Sequence, residues 1–292
     1  MALMIRTLLS FAALISLTLL ALGFTGRILP LGDSLSVFRL PNLLLLSVLM
    51  FALIKTRAFY LALGLTTLSA ISIATNYVPQ EIRRQSVYRL YQKNISYLNT
   101  DTSALKADIL AVEADFITLQ ESTKKNLKLA SEIKTYFPYQ LTCSFNNGVT
   151  IISRWPSTNE SHCFKLDGVG AMKVKTPTGP LWVLSVHLYW PYPYAQSRQV
   201  KRAIQLIEGL EGPKIIAGDF NMVPWSYSIK AFERASDTKI ARPAIHSFDL
   251  PCIPMRIPID HVLLPIGSKV KIERRDKKGS DHYGVLATFN LP

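Results

Sequence analysis

The chain has 292 residues, 49% of them hydrophobic, and a formal net charge of +13. Residues 1–76 hold five basic residues and one acid, which leaves 28 basic and 19 acidic residues, a net +9, in residues 77–292; this scarcity of charge sets the first part apart from the ordinary soluble composition of the second. The basic bias concentrates phosphates, nucleic acid or acidic lipid near the protein without choosing among them, and Cys143, Cys163 and Cys252 cannot all pair.

Residues 8–24 and 58–74 each run 17 residues without a charge, the short end of a membrane-spanning helix. Between them residues 43–54 supply 12 more, enough for a span if it extends back through Asn42 and Pro41 to Leu35 with Arg39 snorkelling to the interface. Three transmembrane helices are therefore expected over residues 1–76. Ala21-Leu22-Gly23 would also suit signal-peptide cleavage, but the two later segments would still hold the protein in the bilayer. Soluble core helices normally carry a polar face, and these segments have none.

After a linker over residues 77–86 the pattern becomes α/β. Residues 87–91 read as a strand ending near Asn94. Leu105, Ile109 and Val112 recur at helical spacing over residues 103–113, with Asp101 or Thr102 as cap. Residues 116–119 form a second buried strand that delivers Gln120 and Glu121 to its end. Glu121 equally suits the acidic start of a helix over residues 123–134. Residues 148–156, GVTIISRWP, give a strand and turn, and residues 181–188 give another with His187 near its end. The aromatic and proline-rich residues 189–199 suit a rigid loop rimming a cleft, followed by a helix over residues 196–210.

Residues 214–225, KIIAGDFNMVPW, are the centre of the pattern. Ile215, Ile216 and Ala217 fill a buried strand, and Gly218 allows a close backbone approach at its end. Alternation then points Asp219 and Asn221 one way and Phe220 the other. A carboxylate there can align and deprotonate a water, and an amide can hold a phosphoryl oxygen. The same D-x-N also suits an Asx turn. Asp260 heads a further apolar strand over residues 259–264, Asp281 and His282 precede the last strand over residues 284–289, and residues 274–278, RRDKK, read as a solvated loop.

These pieces in this order resemble the endonuclease/exonuclease/phosphatase superfamily from about Val87 to Phe289. Asn94 fits the family's first-strand asparagine, Gln120-Glu121 its metal-binding glutamate, GVTIISRWP its hairpin, and His187 its strand-end histidine. Residues 218–221 match its GDFN signature, Asp260 its late aspartate, and residues 280–282 its closing SDH. The resemblance implies a four-layer sandwich of two packed mixed β-sheets flanked by helices, here preceded by the transmembrane region. It also implies divalent-metal-dependent hydrolysis of a phosphodiester or phosphomonoester. Glu121 would bind magnesium or manganese (Mg2+ or Mn2+), with Asn94 beside it and Asp281 close to the metal. Asp219 would activate the water, Asn221 would hold the phosphate, and His282 would act as acid/base with Asp260 fixing its tautomer. His187 would donate to the phosphate or assist the leaving group.

The implied partner is a phosphate ester: a lipid headgroup, a nucleotide or nucleic acid. The alternative is a non-catalytic membrane-anchored module that binds nucleic acid or anionic lipid. Cys143 and Cys163 flank the hairpin strand and are compatible with a bridge or with free thiols. With three spans the N-terminus and the catalytic domain, residues 87–292, lie on opposite sides. The tight Lys55-Thr56-Arg57 turn favours the cytoplasm for the N-terminus and an extracytoplasmic domain at a bacterial membrane, whereas a raw count of Arg27, Arg39, Arg83, Arg84, Arg89 and Lys93 favours the reverse.

Overall fold

The computed structural model describes residues 1–80, 88–144, 148–165, 167–251 and 253–292. The expected strand start at Val87, linker residues 81–86 and Cys252 lie outside the described residues. Helices α1 (Ala2–Leu22), α2 (Pro30–Val37), α3 (Arg39–Leu49, continued by a 3-10 turn over Met50–Leu53) and α4 (Arg57–Ala74) form an N-terminal unit. The remainder runs β1 (Tyr88–Asn94), α5 (Ser103–Ala111), β2 (Phe116–Gln120), α6 (Lys128–Glu132), β3 (Tyr139–Cys143), β4 (Val149–Ser153), β5 (Ser157–Phe164), β6 (Val169–Thr176) and β7 (Gly179–His187). It continues through α7 (Gln196–Glu208), β8 (Lys214–Asp219), α8 (Tyr227–Ser236), β9 (Thr238–Ile240), β10 (Phe248–Asp249), β11 (Arg256–Ile257), β12 (Asp260–Pro265), β13 (Lys269–Arg275) and β14 (Gly284–Asn290).

Two six-stranded mixed sheets, β13-β14-β1-β2-β4-β3 and β5-β6-β7-β8-β12-β9, pack face to face. Their shared core joins Leu90, Phe116, Ile151 and Phe289 of the first sheet to Met172, Val183, Ile215 and Val262 of the second. Helices α5 and α6 cover the outer face of the first sheet through Leu105, Ile109 and Leu129; α7 and α8 cover the second through Val200, Ile207, Ile229 and Phe232. The expected four-layer sandwich is the observed fold. Each sheet contains one parallel pair, β1–β2 crossed over by α5 and β7–β8 crossed over by α7, because parallel neighbours need such a crossover. Gly218 sits in the β7–β8 pair, where a Cβ would lie 1.9 Å from the Val186 carbonyl oxygen, so the close approach read from sequence is to a neighbouring strand. Cys143 and Cys163 are bridged with Cα atoms 5.4 Å apart, joining edge strand β3 of one sheet to edge strand β5 of the other.

In the N-terminal unit, α1 and α4 are long and apolar enough to cross a membrane. The segment between them is not the single helix over residues 35–54 expected from sequence: α2 and α3 meet at an angle of 75°. Pro41 explains the break, because it has no N–H to bond the Val37 carbonyl and its ring clashes there. Arg39 does not snorkel. Its guanidinium is buried, donates to the Gly23 carbonyl at 2.6 Å and lies 4.0 Å from the Phe24 ring centroid. Ser10 bonds the Ala52 carbonyl and Ser16 the Asn42 side chain, so α3 and its 3-10 turn run antiparallel to α1. Met1 and residues 54–57 consequently lie at one end of the unit, and the C-terminal ends of α1 and α4 lie at the other.

That second end is docked on the sandwich. Asp33 of α2 accepts the backbone N–H groups of Tyr227 at 2.7 Å and Ser228 at 3.1 Å, together with the Ser228 hydroxyl, at the start of α8. The Trp225 indole N–H donates to the Ser36 carbonyl at 2.8 Å, and Val37, Leu43 and Ile73 pack into the core beneath α7 and α8. After α4, Tyr77 stacks on His246 and bonds it at 2.9 Å.

The largest departures from the sequence expectations are elements without strong periodicity. The helix expected over residues 123–134 contracts to α6, with turns before it. Polar edge strand β5 and the short β9–β11 carry little apolar pattern; the exception is α8, not expected from sequence although it is amphipathic and buries Ile229, Ala231 and Phe232. The basic stretch over residues 274–278 is partly strand β13 and is not freely solvated: Arg275 pairs with Asp108, Lys277 pairs with Asp249 at 2.8 Å, and Arg274 and Lys277 flank the Tyr283 ring.

Two stability measurements follow from this packing. Replacing Asp33 by Ala leaves two α8 N–H groups without their charged acceptor, at a cost of about 2–4 kcal/mol. Thermal unfolding of the full chain in detergent should show a midpoint several degrees lower, and an unchanged midpoint would contradict the docking. His261 is fully enclosed, its Nε2–H donating to the Met222 carbonyl at 2.7 Å, and burial lowers its imidazole to about 4. The unfolded chain therefore binds the extra proton between its ordinary 6.5 and 4. Stability is complete above that range and falls by about 3 kcal/mol as pH drops through it. His261→Gln keeps an N–H for Met222, so its midpoint should fall less between pH 7.5 and pH 5 than that of the parent chain.

Candidate active site

The two parallel pairs deliver side chains to one edge of the sandwich. In β1–β2, Asn94 lies opposite Gln120, with Glu121 one residue beyond; in β7–β8, His187 lies opposite Asp219. Asp260 opens β12 directly opposite Asp219. Asn94, Glu121, His187, Asp219 and Asp260 are thereby brought to one place from five strand ends, and the loop before β14 adds His282.

Asp219 is at the centre. Its Oδ2 accepts from Asn94 Nδ2 at 3.0 Å and lies 3.7 Å from both His187 Nε2 and His282 Nε2. Its Oδ1 accepts the Asn221 N–H at 2.8 Å, so the Asx turn and the site carboxylate are the same residue. The chain leaves the extended region there. Asn221 has φ 50 and Glu121 φ 57, so the strand-like alternation expected from Asp219 to Asn221 stops at Asp219. Left-handed backbone at two non-glycine site residues is strain held by the surroundings. Asn126 holds one of them, donating to the Glu121 carbonyl at 2.9 Å and the Ser96 carbonyl at 3.2 Å.

Glu121 Oε1 accepts from Asn94 Nδ2 at 3.1 Å and lies 3.9 Å from His187 Nε2, and Oε2 accepts the Tyr97 N–H at 2.7 Å. Asn94 Oδ1 accepts the Ser96 N–H at 3.0 Å, which fixes the amide with its N–H groups toward the two carboxylates. Asn94 thus presents hydrogen rather than oxygen to the site, and it spaces Glu121 from Asp219. Asn221 donates from Nδ2 to the Leu188 carbonyl at 2.8 Å, while its buried Oδ1 has no partner. Asp281 is exposed at the mouth.

His282 Nδ1 lies 2.8 Å from Asp260 Oδ2. Burial alone would lower this imidazole, but the Asp260 and Asp219 carboxylates outweigh it and raise it to about 9. Burial also acts on Asp260, yet the His282 charge and bonds from His282, Ser247 and Gln92 hold its carboxyl below the ordinary range. Asp219 goes the other way: burial raises it to about 7, against the His282 charge and with that of Asp260.

Several residues that complete the site carry no motif. Gln92 donates to Gln120 Oε1 and to Asp260 Oδ1, both at 2.8 Å, and Gln120 passes a bond to Ser185 at 2.9 Å. Ser247 accepts the Asp260 N–H at 3.1 Å. Buried Lys93 donates to the His282 carbonyl and so fixes the closing loop; burial lowers its ammonium to about 7. Gln92 goes unmarked in the sequence, although it lies two residues before Asn94 on the same strand face; that alternation marks its side of the strand but names no partner.

The site opens into a cleft of about 390 Å³ whose walls include Tyr97, Tyr189, Trp190, Tyr194 and Phe248. Phe248 lies 4.7 Å from the His282 ring, and Trp190 packs on Phe248. The loop rimming the cleft is the aromatic stretch read from sequence.

The donor set suits a hard divalent cation. Glu121, Asp219 and Asp260 place three carboxylates beside the two imidazoles, burial raises Asp219 by more than the His282 charge offsets, and among the described residues the Asn221 oxygen has no donor. Asp219, Asp260 and His282 lie within 4.8 Å of one another. All three carboxylates accept hydrogen bonds at both oxygens, but Glu121 and Asp219 line the cleft and Asp260 lies behind them, so the side that faces an incoming ion is the Asp219–Glu121 side.

The Endonuclease/Exonuclease/phosphatase family model matches residues 91–282, well over half of the chain, from within β1 to His282. No curated protein is similar enough in sequence to match. Among solved structures, TDP2 from D. rerio complexed with single strand DNA product is 15% identical with a TM-score of 0.58, covering 70% of this chain and 99% of that one. An endonuclease/exonuclease/phosphatase family protein from Leptotrichia buccalis is 14% identical with a TM-score of 0.55, covering 70% and 100%. SmcL is 13% identical with a TM-score of 0.54, covering 70% and 99%. At these identities the structures share the fold, and the family match extends over every strand that carries the site: the chain belongs to the endonuclease/exonuclease/phosphatase family.

Proposed function

We propose that this protein is a membrane-tethered phosphoesterase that depends on magnesium or manganese. The observation that carries this reading is the convergence of Asn94, His187 and His282 on one oxygen of buried Asp219 at the floor of an open cleft. Family members and structural neighbours are metal-dependent phosphoesterases, which supports a hydrolase. Glu121 would hold the ion together with the Asp219 side of the site and Asp281 at the mouth, while Asn94 sets the spacing of the carboxylates. When bound, the ion supplies charge neutralisation for the phosphoryl oxygens and for the leaving oxygen.

Asp219 accepts a proton from the attacking water, a task suited to a carboxylate whose basicity burial has raised toward neutrality. His282, kept protonated by Asp260, donates Nε2–H to a phosphoryl oxygen. Asn221 has a second N–H beyond the one given to Leu188, and with His187 it orients the phosphate and the leaving group. Retention of this whole set favours catalysis over a binding-only module.

The test uses the full chain in detergent and a chromogenic phosphodiester. Turnover should require magnesium or manganese and vanish in excess chelator. Asp219→Asn should lower the rate by about 10²–10⁴, the scale of a lost general base, without unfolding the chain. Full activity in excess chelator would refute the metal assignment.

The same reading puts the sandwich outside the cytoplasm. Passage of α1, α3 and α4 through a bilayer leaves Arg6, Lys55 and Arg57 at the end away from the sandwich, the side that positive residues favour as cytoplasmic. The Cys143–Cys163 bridge suits an oxidising compartment. Tethering favours a phosphate ester met at the membrane surface, a lipid headgroup or a nucleotide, over long duplex DNA. With Cys252→Ser as background, Pro292→Cys should react with a membrane-impermeant thiol reagent on intact cells; protection until lysis would place the active site in the cytoplasm.

A further inference from the structure

A second concavity lies away from the cleft, where the N-terminal unit meets the sandwich. It has a volume of about 120 Å³, the room of roughly four water molecules. The segment between α1 and α2 forms one side, the start of α7 another, and Pro191 with Tyr192 a third. Gly26 closes the back: a Cβ there would lie 3.0 Å from Tyr227 Cβ and 2.8 Å from Asp33 Oδ1, so only glycine lets the segment seat this deeply.

The charges around the space are unbalanced. Arg27 and Lys201 line it from opposite sides, both are exposed, and among the described residues neither forms an ion pair. Asp33, the acid in the lining, has its oxygens engaged by the start of α8. The Ser197 hydroxyl adds a donor. Immediately beside these polar groups stand exposed apolar side chains: Ile28 is 80% exposed, and Leu29 and Leu31 nearly half. They follow directly on the end of α1, at the depth where a spanning helix meets the headgroup layer.

We propose that this concavity binds the phosphate of an anionic glycerophospholipid. The inference rests on the reading of α1, α3 and α4 as membrane passes. Two cations around a space of this size match one phosphodiester, and the apolar lip beside them matches acyl chains. A zwitterionic headgroup would set its own ammonium against Arg27 and Lys201, so the site discriminates by headgroup charge. The site is separate from the catalytic cleft but shares a wall with it: in one loop, Tyr189, Trp190 and Tyr194 line the cleft while Pro191 and Tyr192 line the lipid site, and Ser34 of α2 bonds the Tyr192 carbonyl at 3.2 Å.

The test is native mass spectrometry of the full chain released from nanodiscs of phosphatidylcholine with phosphatidylglycerol. The parent chain should retain one phosphatidylglycerol and no phosphatidylcholine. The exposed pair R27Q/K201Q should retain about thirtyfold less, the effect expected for two basic residues at a membrane surface. K269Q/K271Q removes the same charge from distant β13 and should bind as the parent does. Equal retention by R27Q/K201Q, equal loss in the β13 control, or displacement of the lipid by millimolar inorganic phosphate would overturn the proposal. Alkaline carbonate extraction separates the two readings: release of the chain from membranes would overturn the membrane passes as well, whereas an integrated chain with unselective binding would overturn this inference alone.

Discussion

A buried carboxylate has to be matched by hydrogen bonds or opposite charge, and in this molecule that requirement falls on Asp260. Asp260 belongs to one sheet, Gln92 to the other, and the bond between them crosses the interface at the edge where apolar packing gives out. From there the network runs through Gln120 to Ser185 and through His282 toward Asp219. The two sheets are therefore held in register at the site by polar groups that cannot shift without exposing a charge to an apolar interior. The side chains that face the cleft are built around that junction, and the left-handed turns beside it are held by Asn126 at Glu121 and by the Asp219 carboxylate at Asn221.

The sequence made the strands legible where they are apolar and central, and it made the site legible where strands end in unusual polar residues. Residues 214–219 and 181–187 carry both signals, so both strands and their terminal Asp219 and His187 are legible, while the pairing of the two strands is seen only in the structure. The sandwich itself came from resemblance rather than from periodicity. Edge strand β5, with its polar face to solvent, and short β9–β11 have too few apolar residues to stand out. Gln92, Ser185, Ser247 and Lys93 were illegible for a different reason: each acts through a partner distant in sequence, and a lone glutamine, serine or lysine says nothing about who that partner is. The amide of Asn94 illustrates the limit well. Its place beside Glu121 follows from strand order, but which of its atoms faces the carboxylates depends on the Ser96 N–H across a turn.

The N-terminal segment reads from sequence as three passes, and its chemistry is more specific than hydropathy conveys. Pro41 divides the middle segment, freeing α2 to leave the helical bundle and lie against the sandwich, where Asp33 meets the start of α8. Hydropathy averages over such a residue. Asp33, the one acid among residues 1–76, falls between the expected spans and counts in the sequence only as a charge, yet its position decides how the two parts of the chain are joined.

Trp225, which ends the stretch beginning at Lys214, bonds Ser36 of α2, and the rim loop is tied to Ser34. The helices thus grip the sandwich on the same side from which the cleft loop projects. A catalytic head on a slack tether would sample every orientation and meet dissolved substrate as a free enzyme does. On the proposed reading of the helices as membrane passes, a head clamped in this manner would instead hold its cleft at one height and one tilt above the bilayer. For a lipid substrate its turnover would then scale with the number of substrate molecules per unit area of membrane passing beneath that fixed opening, and dilution of the surrounding solution would leave it unchanged.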